Sequence, residues 1–116
     1  VSFSIKKGDL VAIVGSSGAG KSTIADLIPR FYEIDKGSIE IDGFDIKDLS
    51  INSLRKLMGI VNQDVNLFDN TIEFNVSYGT INYTQNDLIK ATKAANAYDF
   101  IVKKMMGFKQ LLVKKG

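Results

Sequence analysis

A glycine-rich segment followed by lysine and serine is the part of this sequence best suited to chemistry. Residues 15–22 read Gly-Ser-Ser-Gly-Ala-Gly-Lys-Ser and fit the pattern G-x-x-x-x-G-K-[ST]. Glycines let the backbone curl closely around phosphate groups, because a side chain there would clash or forbid the required dihedral angles. The curled backbone directs N–H groups inward, and the lysine adds a positive charge. The pattern therefore predicts a loop that holds the phosphates of a nucleotide.

The charged and hydroxylated residues of this loop have specific expected roles. Lys21 supplies a positive charge for the β- and γ-phosphates, and the Ser22 hydroxyl is suited to bind Mg²⁺. The predicted nucleotide-binding residues are Gly15, Ser16, Ser17, Gly18, Ala19, Gly20, Lys21, Ser22 and Thr23. The alternative is a glycine-rich turn with an incidental lysine, and the elements that flank the loop argue against it.

A phosphate loop requires a strand before it and a helix after it. Residues 10–14 form an unbroken apolar run that is typical of a buried strand. After the loop, apolar residues at 24, 27 and 28 have the spacing of one helix face, and Pro29 can end that helix. The sequence therefore predicts strand, glycine loop and helix in that order.

The rest of the chain alternates between predicted strands and helices. Strands are expected at 1–5 and 38–42, the second closed by a turn at Asp42-Gly43. Helices are expected at about 51–57 with Ser50 or Asn52 as N-cap, at about 85–95 with a capping box from Thr84 to Asp87, and from Asn96 to Ile101. This alternation predicts an α/β layer structure.

The composition excludes several other classes of protein. The chain has 116 residues, which is one domain or less, and its net charge of +2 is too small to indicate a nucleic-acid surface. It has no cysteine for disulfides and no histidine, the usual base at neutral pH. No apolar run approaches the ~20 residues that cross a bilayer. Chemistry would therefore depend on phosphate positioning and a metal ion.

A second landmark lies further along the chain. Gln63 follows the strand-like run 58–62, and Leu67-Phe68 and a Thr-Ile-x-x-Asn segment at 71–75 come after it. Together with the phosphate loop, this ordered set resembles the ATP-binding domain of ABC transporters, particularly exporters such as lipid A and multidrug exporters. The resemblance covers roughly residues 1–102. Taken alone, Gln63 would more often be a solvated strand end.

The resemblance implies an α/β fold of the P-loop NTPase class. Residues 1–116 would be the N-terminal part of an ABC-type ATPase domain, with an antiparallel β subdomain and the start of a parallel core. The phosphate loop would lie at 15–22, the Q-loop would begin at Gln63, and a helical subdomain would begin at about 71. Because the strand that covers one edge of 10–14 in the family is absent from this sequence, we expect the chain alone to aggregate or self-associate.

The resemblance also implies roles for residues and partners. Lys21 and Gln63 would be the catalytic residues, and Ser22 and Gln63 would bind Mg²⁺ beside ATP. The loop after Gln63 would contact the transmembrane domain of the same transporter, and Leu67 and Phe68 would either face that domain or pack in the core. A second ATP-binding domain would complete the site in a head-to-tail dimer, and no nucleic acid is expected as a partner.

The implied function is ATP binding and, in the complete parent, ATP hydrolysis coupled to export of a lipid or hydrophobic compound. The transporter would work from the cytoplasmic face of a bacterial inner membrane. The family's Leu-Ser-Gly-Gly-Gln signature, Walker B Asp-Glu pair and switch histidine do not occur in this sequence, so we expect the chain alone to be inactive. Two alternatives stay open: a nucleotide-binding module without turnover, and an ABC-type ATPase of DNA repair or chromosome organisation.

Residues 103–116 depart from the family pattern. Lysines occupy positions 109 and 114, where the family has Asp and Glu, and Lys104-Met105 replaces a Leu-Pro pair. Together with Lys103 and Lys115 they make a basic end. The favoured interpretation is a set of solvated lysines, and the alternative is contact with acidic lipid headgroups or a partner loop.

Overall fold

The computed structural model describes residues 1–112, which belong to two compact units, Val1–Val61 and a second that begins at Asn62. Each unit combines short helices with a two-stranded antiparallel sheet. No helix within residues 1–112 is both long enough and apolar enough to span a membrane. The expectations for Lys114 and Lys115 fall outside the described residues.

The first unit contains two helices and one hairpin. Its elements are α1 (Lys21–Leu27), β1 (Glu40–Ile41), β2 (Phe44–Asp45), a 3₁₀ turn (Ile46–Asp48) and α2 (Ile51–Lys56). In the hairpin, Ile41 lies opposite Phe44. The predicted turn at Asp42-Gly43 is present, with φ angles of 50° and 82°, because a two-residue hairpin loop favours positive φ at both positions. The predicted strand at 38–42 is thus shortened to two residues.

Residues 1–5 and 10–14 have irregular backbone in place of the predicted strands. The side chains of Leu10 and Val14 are exposed, at 101% and 86%. A buried parallel strand needs neighbouring strands and a packed layer on each face, and the described part of the first unit provides only the short β1–β2 hairpin. The prediction of a buried strand at 10–14 is therefore wrong for the described chain.

Helix α1 ends at a left-handed residue that is not glycine. The N–H of Phe31 donates to the Asp26 carbonyl over 3.0 Å, and the N–H of Arg30 donates to the Leu27 carbonyl over 3.1 Å. With φ of 57°, Arg30 takes the position that usually belongs to glycine in this kind of helix end. Pro29 directly precedes it and is buried, so the helix stops where the sequence predicts.

Two arginines join the end of α1 to the remainder of the first unit. The Arg30 guanidinium donates to the Leu49 carbonyl oxygen over 3.2 Å and pairs with Glu33 over 3.1 Å. From α2, Arg55 Nε donates to the Pro29 carbonyl oxygen over 3.0 Å. Beneath these contacts Ile46 and Leu54 are fully buried and form the core of the unit.

The second unit is mainly helical. Its elements are β3 (Asn70–Thr71), α3 (Ile72–Ser77), α4 (Gln85–Ala94), α5 (Tyr98–Val102), a 3₁₀ turn (Gly107–Lys109) and β4 (Leu111–Leu112). β3 pairs with β4, with Thr71 opposite Leu111. Ile72, Leu88 and Ile101 are buried, one from each of the three helices, so the helices share one small core.

Local capping patterns set most helix ends, with one correction. Ser50, and not Asn52, is the N-cap of α2, and its hydroxyl accepts from the Ser53 N–H. The capping box from Thr84 to Asp87 opens α4 as predicted. Asn96, in contrast, does not begin α5. With φ of 56° it ends α4, and its N–H donates to the Lys93 carbonyl over 3.0 Å, because Asn tolerates the left-handed conformation that such helix ends require.

Candidate phosphate-binding site

The predicted loop bends tightly before it enters α1. The N–H of Ala19 donates to the Ser16 carbonyl over 3.1 Å, which closes a turn across the middle of the loop. Gly18 and Gly20 have φ of 82° and 91°, a region that residues with a side chain rarely adopt. Gly20 is also the N-cap of α1, so the loop passes directly into the first turn of the helix.

Gly15 is required for a different reason. Its φ is not positive, but a Cβ built on it would lie 3.2 Å from the Cβ of Ala19. That contact is tighter than ordinary van der Waals packing, so a side chain at residue 15 would require Ala19 to shift by a few tenths of an ångström. The three glycines of the pattern thus have two functions: one allows close approach, and two allow the backbone turn.

Lys21 folds back over the loop that precedes it. Its Nζ donates to the carbonyl oxygens of Gly15 over 2.6 Å and Ser16 over 2.7 Å. The side chain is half-buried although most of its neighbours are exposed. These two bonds fix the only cationic side chain of residues 15–23 against the loop backbone, where it can neutralise a bound anion.

An open concavity of about 460 Å³ lies at the loop, lined by Ser17, Gly18, Gly20, Lys21, Ser22 and Thr23. The first helical hydrogen bond of α1 runs from the Ile24 N–H to the Gly20 carbonyl. The N–H groups of Lys21, Ser22 and Thr23 therefore have no carbonyl partner within the helix. N–H donors beside a lysine form a site for an anion, and a phosphate group fits it.

The same concavity has a hydroxyl that suits Mg²⁺. Ser22 is exposed in the first turn of α1 and lines the concavity. Residues 1–112 contain no group of three or more His, Cys, Asp or Glu side chains that would bind a metal by themselves. Mg²⁺ usually takes few protein ligands and completes its coordination with water and substrate phosphates. The donor set therefore fits a magnesium ion that is bound together with a phosphate-bearing ligand.

Gln63 belongs to the second unit and is not one of the residues that line this concavity. It is exposed, and residues 64–69 that follow it are exposed as well and belong to no helix or strand. The structure thus brings the predicted residues 15–23 together in one loop, while the catalytic and metal-binding roles expected of Gln63 stay predictions.

Leu67 and Phe68 are on the surface. The sequence predicts for them either a position in the core or a contact with the transmembrane domain. Their side chains are 50% and 45% exposed. The Phe68 ring contacts Phe74 and Tyr78, with ring centroids 5.8 Å and 4.5 Å away. These aromatic residues form a surface cluster instead of a buried core. Contact of Leu67 and Phe68 with a transmembrane domain stays a prediction.

Sequence reasoning missed two positioning residues. Arg30 and Arg55 contact no part of the concavity, but they fix the end of the helix that begins in the phosphate loop. The sequence does not predict that α1 ends at Arg30, because a left-handed helix end is expected at glycine or asparagine. Asn75 belongs to the Thr-Ile-x-x-Asn segment, and the spacing of that segment does not indicate that the Asn75 side chain makes three hydrogen bonds to the backbone.

The lysines of the basic end that the structure describes are exposed at positions 103, 104 and 109. In the same unit, Lys93 Nζ lies 4.9 Å from the centroid of the Tyr98 ring. Exposure favours the interpretation of solvated lysines, and contact with lipid headgroups or a partner loop stays a prediction.

A glycine loop that opens a helix, with a lysine folded back over the loop and a serine in the first turn, is typical of a phosphate-binding loop of the nucleotide-binding type. The family model for ABC transporters matches residues 1–111. The chain therefore belongs to the ABC transporter family, and the predicted resemblance and the P-loop NTPase fold class are both confirmed.

The chain is similar to a flippase and to an ABC transporter. It is 44% identical over 116 residues to an ATP-dependent lipid A-core flippase of Syntrophus aciditrophicus, covering 100% of this chain and 19% of the relative. It is 45% identical over 116 residues to ABC transporter B family member 4 of Dictyostelium discoideum, covering 100% of this chain and 15% of the relative. The chain thus spans less than one fifth of the length of these relatives.

A solved structure has the same fold. A bacterial Atm1-family ABC exporter with ATP bound superposes with a TM-score of 0.78 at 44% sequence identity, covering 83% of this chain and 17% of that chain. At this identity the similarity extends to sequence as well as fold. ABC transporter membership therefore rests on the family match, the sequence relatives and the solved structure together.

Proposed function

We propose that this chain binds MgATP through residues 15–23 and that the complete protein hydrolyses ATP to export a lipid or hydrophobic compound. The observation that carries the proposal is the arrangement at the start of α1. Lys21, Ser22 and Thr23 of the first turn line one concavity, and the Lys21 ammonium is held against the loop backbone beside it. The ATP-bound exporter and the flippase relatives support the same ligand and the same direction of transport.

In the proposed reaction, water attacks the γ-phosphorus in line with the leaving β–γ bridging oxygen, which gives ADP and inorganic phosphate. The N–H groups of the loop and Lys21 hold the β- and γ-phosphates and stabilise the charge on them. Ser22 and Gln63 would hold Mg²⁺, which neutralises phosphate charge when bound. Gln63 would also orient the attacking water through its side-chain carbonyl. The chain thus contributes positioning and charge, which are the main needs of phosphoryl transfer.

The proposed partners are suggested by the length of the relatives, which are much longer than this chain. Because the chain spans 19% of the Syntrophus flippase, we propose that it works as part of a larger exporter with transmembrane segments. The exposed segment after Gln63 would contact the transmembrane domain of the same transporter, and a second ATP-binding domain would close the site head to tail. Such an assembly would place this domain at the cytoplasmic face of a bacterial inner membrane.

A nucleotide-binding module without turnover is the second candidate. It applies to the 116 residues taken by themselves, because they contain neither the histidine nor the Asp-Glu pair on which hydrolysis depends in the family. The two candidates differ in phosphate release and not in nucleotide binding. A phosphate-release assay on the 116-residue chain and on the complete exporter separates them. We expect the complete exporter to release phosphate and the 116-residue chain to release none. If neither protein releases phosphate, the result would favour the binding module.

Nucleotide binding itself is tested by calorimetric titration with ATP, ADP and AMP in the presence of Mg²⁺. The site holds the β- and γ-phosphates, so we expect ATP and ADP to bind and AMP to bind at least tenfold more weakly, a difference of about 1.4 kcal/mol. Equal affinity for AMP would show that the concavity does not recognise these phosphates and would contradict the proposal.

A further inference from the structure

The amide of Asn75 holds the backbone of Phe68 from both sides. Its Oδ1 accepts from the Phe68 N–H over 2.8 Å, and its Nδ2 donates to the Phe68 carbonyl oxygen over 3.1 Å. The same Nδ2 donates to the Thr71 carbonyl oxygen over 2.9 Å. One side chain of α3 thus pairs with Phe68 as a neighbouring strand would.

Only a carboxamide can make this set of contacts. Asparagine offers two donors and an acceptor on one short side chain. Aspartate at this position would keep the acceptor but would direct an oxygen at the carbonyls of Phe68 and Thr71. Ring contacts reinforce the arrangement, because Phe74 and Tyr78 of the same helical segment pack against the Phe68 ring. Phe68 is therefore anchored to α3 through its backbone and its side chain.

This anchor limits the segment that carries Gln63. Positions 63 and 68 are five residues apart, and the chain between them is exposed and belongs to no helix or strand. Five residues span at most about 17 Å when fully extended. Fixing Phe68 therefore confines where the Gln63 backbone can go, and weakening the contacts of Phe68 with Asn75 would relax that limit.

We propose that Asn75 is a positioning residue for ATP hydrolysis, which acts through Phe68 on the segment that carries Gln63. The proposal rests on the role given to Gln63 under the proposed function. It assigns to Asn75 no contact with ATP or metal. Loss of the amide leaves the phosphate loop intact and weakens the anchor at Phe68, so the chemical step slows while ATP binding persists.

The experiment compares Asn75→Asp, Gln63→Ala and the double variant in the complete exporter, with MgATP as substrate. We expect each single variant to lower kcat at least fivefold with KM for ATP changed less than twofold, because the lost interaction is made mainly in the transition state. We expect the double variant to match Gln63→Ala alone, because residues that act through one another are not additive. Amide hydrogen exchange at Phe68 should be faster in Asn75→Asp than in the unchanged protein.

A matched control separates positioning from the stability of α3. Thr71→Ala removes the N-cap bond from the Phe74 N–H to the Thr71 hydroxyl but leaves the Asn75–Phe68 pair in place. Loss of such a cap costs about 1 kcal/mol of stability. We expect this variant to melt at lower temperature with kcat unchanged and Phe68 exchange unchanged.

The outcomes are distinguishable. If Gln63→Ala leaves kcat unchanged, the proposed role of Gln63 fails, and the positioning role fails with it. If Gln63→Ala slows turnover but Asn75→Asp does not, only the positioning role is overturned. Additive losses in the double variant would also overturn it, since they would show an effect that does not pass through Gln63. An equal loss in Thr71→Ala would overturn it as well, since it would show that lower stability of α3 is enough to slow turnover.

Discussion

The Nε of Arg55 on α2 donates a hydrogen bond to the carbonyl oxygen of Pro29, 3.0 Å away, at the end of α1. A second nitrogen of the same guanidinium donates to the Arg30 carbonyl over 3.2 Å, and the group lies 5.0 Å from the centroid of the Phe31 ring. One side chain thus satisfies two carbonyls that follow α1. Because α1 begins in the phosphate loop, this contact ties the far end of that helix to α2.

Arg55→Leu should therefore lower the stability of the first unit. The variant leaves the carbonyls of Pro29 and Arg30 without this donor, and we expect a loss of about 1 to 2 kcal/mol in the free energy of unfolding. Urea denaturation measures the loss. Lys56→Leu is the matched control, since Lys56 is the exposed neighbour of Arg55 on the same helix. An equal effect of the two substitutions would show that the bonds to Pro29 and Arg30 contribute nothing measurable.

Lys21→Ala should weaken MgATP binding without unfolding the loop. The change removes the one positive charge of residues 15–23, and bonds to charged groups are worth about 1.5 to 3 kcal/mol, so we expect affinity to fall roughly tenfold to a hundredfold. Titration calorimetry measures the affinity, and far-ultraviolet circular dichroism checks the fold. Lys56→Ala should bind MgATP normally. Unchanged affinity in Lys21→Ala would contradict the assignment of the phosphate loop.

The phosphate loop could be predicted from sequence because its causes are local. The positive φ of Gly18 and Gly20 and the close approach at Gly15 are properties of single glycines, and Lys21 reaches loop residues only a few positions away. The same holds for the capping box at Thr84, where a hydroxyl and a carboxylate three residues apart bond each other's backbone. Interactions between residues a few positions apart can therefore be predicted from the spacing of residue types.

The parts that sequence did not predict depend on distant or competing interactions. The apolar run 10–14 indicates burial, but burial requires neighbouring strands that residue types alone cannot supply. Asn96 suits either a helix N-cap or a left-handed helix end, and in the structure it is the left-handed residue at the end of α4. Arg30 adopts a conformation that glycine favours, while its guanidinium bonds a carbonyl from another part of the first unit. No local pattern identifies such a contact.

Acid should destabilise the start of α4 through Asp87. The backbone N–H and then the hydroxyl of Thr84 donate to its carboxylate and hold the pKa of Asp87 below its ordinary value of 3.8. A lowered folded-state pKa favours the ionised form, so the stabilisation is present above the ordinary value and is lost as the pH falls below 3.8 through the folded-state pKa. Asp87→Asn should remove this dependence, as measured by melting temperature between neutral and acid pH.

The matched control for this titration is Asp99→Asn, which changes another exposed acid in the first turn of a helix, α5. We expect this variant to keep the acid-dependent loss of stability that belongs to Asp87. Direct observation of the Asp87 carboxyl carbon by nuclear magnetic resonance gives the folded-state pKa. A titration midpoint at or above the ordinary value would show that the Thr84 bonds do not favour the ionised carboxylate in solution.

The exposed apolar run at 10–14 should make the 116-residue chain self-associate. Leu10 and Val14 are almost completely exposed, and an exposed apolar run without a paired neighbour readily joins another copy. We expect Val14→Lys to shift the chain toward monomer in light scattering across a concentration series. Ile81→Lys is the matched control, because Ile81 is 86% exposed but lies among polar residues in the second unit. A monodisperse monomer in the unchanged chain, or equal effects of the two lysines, would show that residues 10–14 do not drive association.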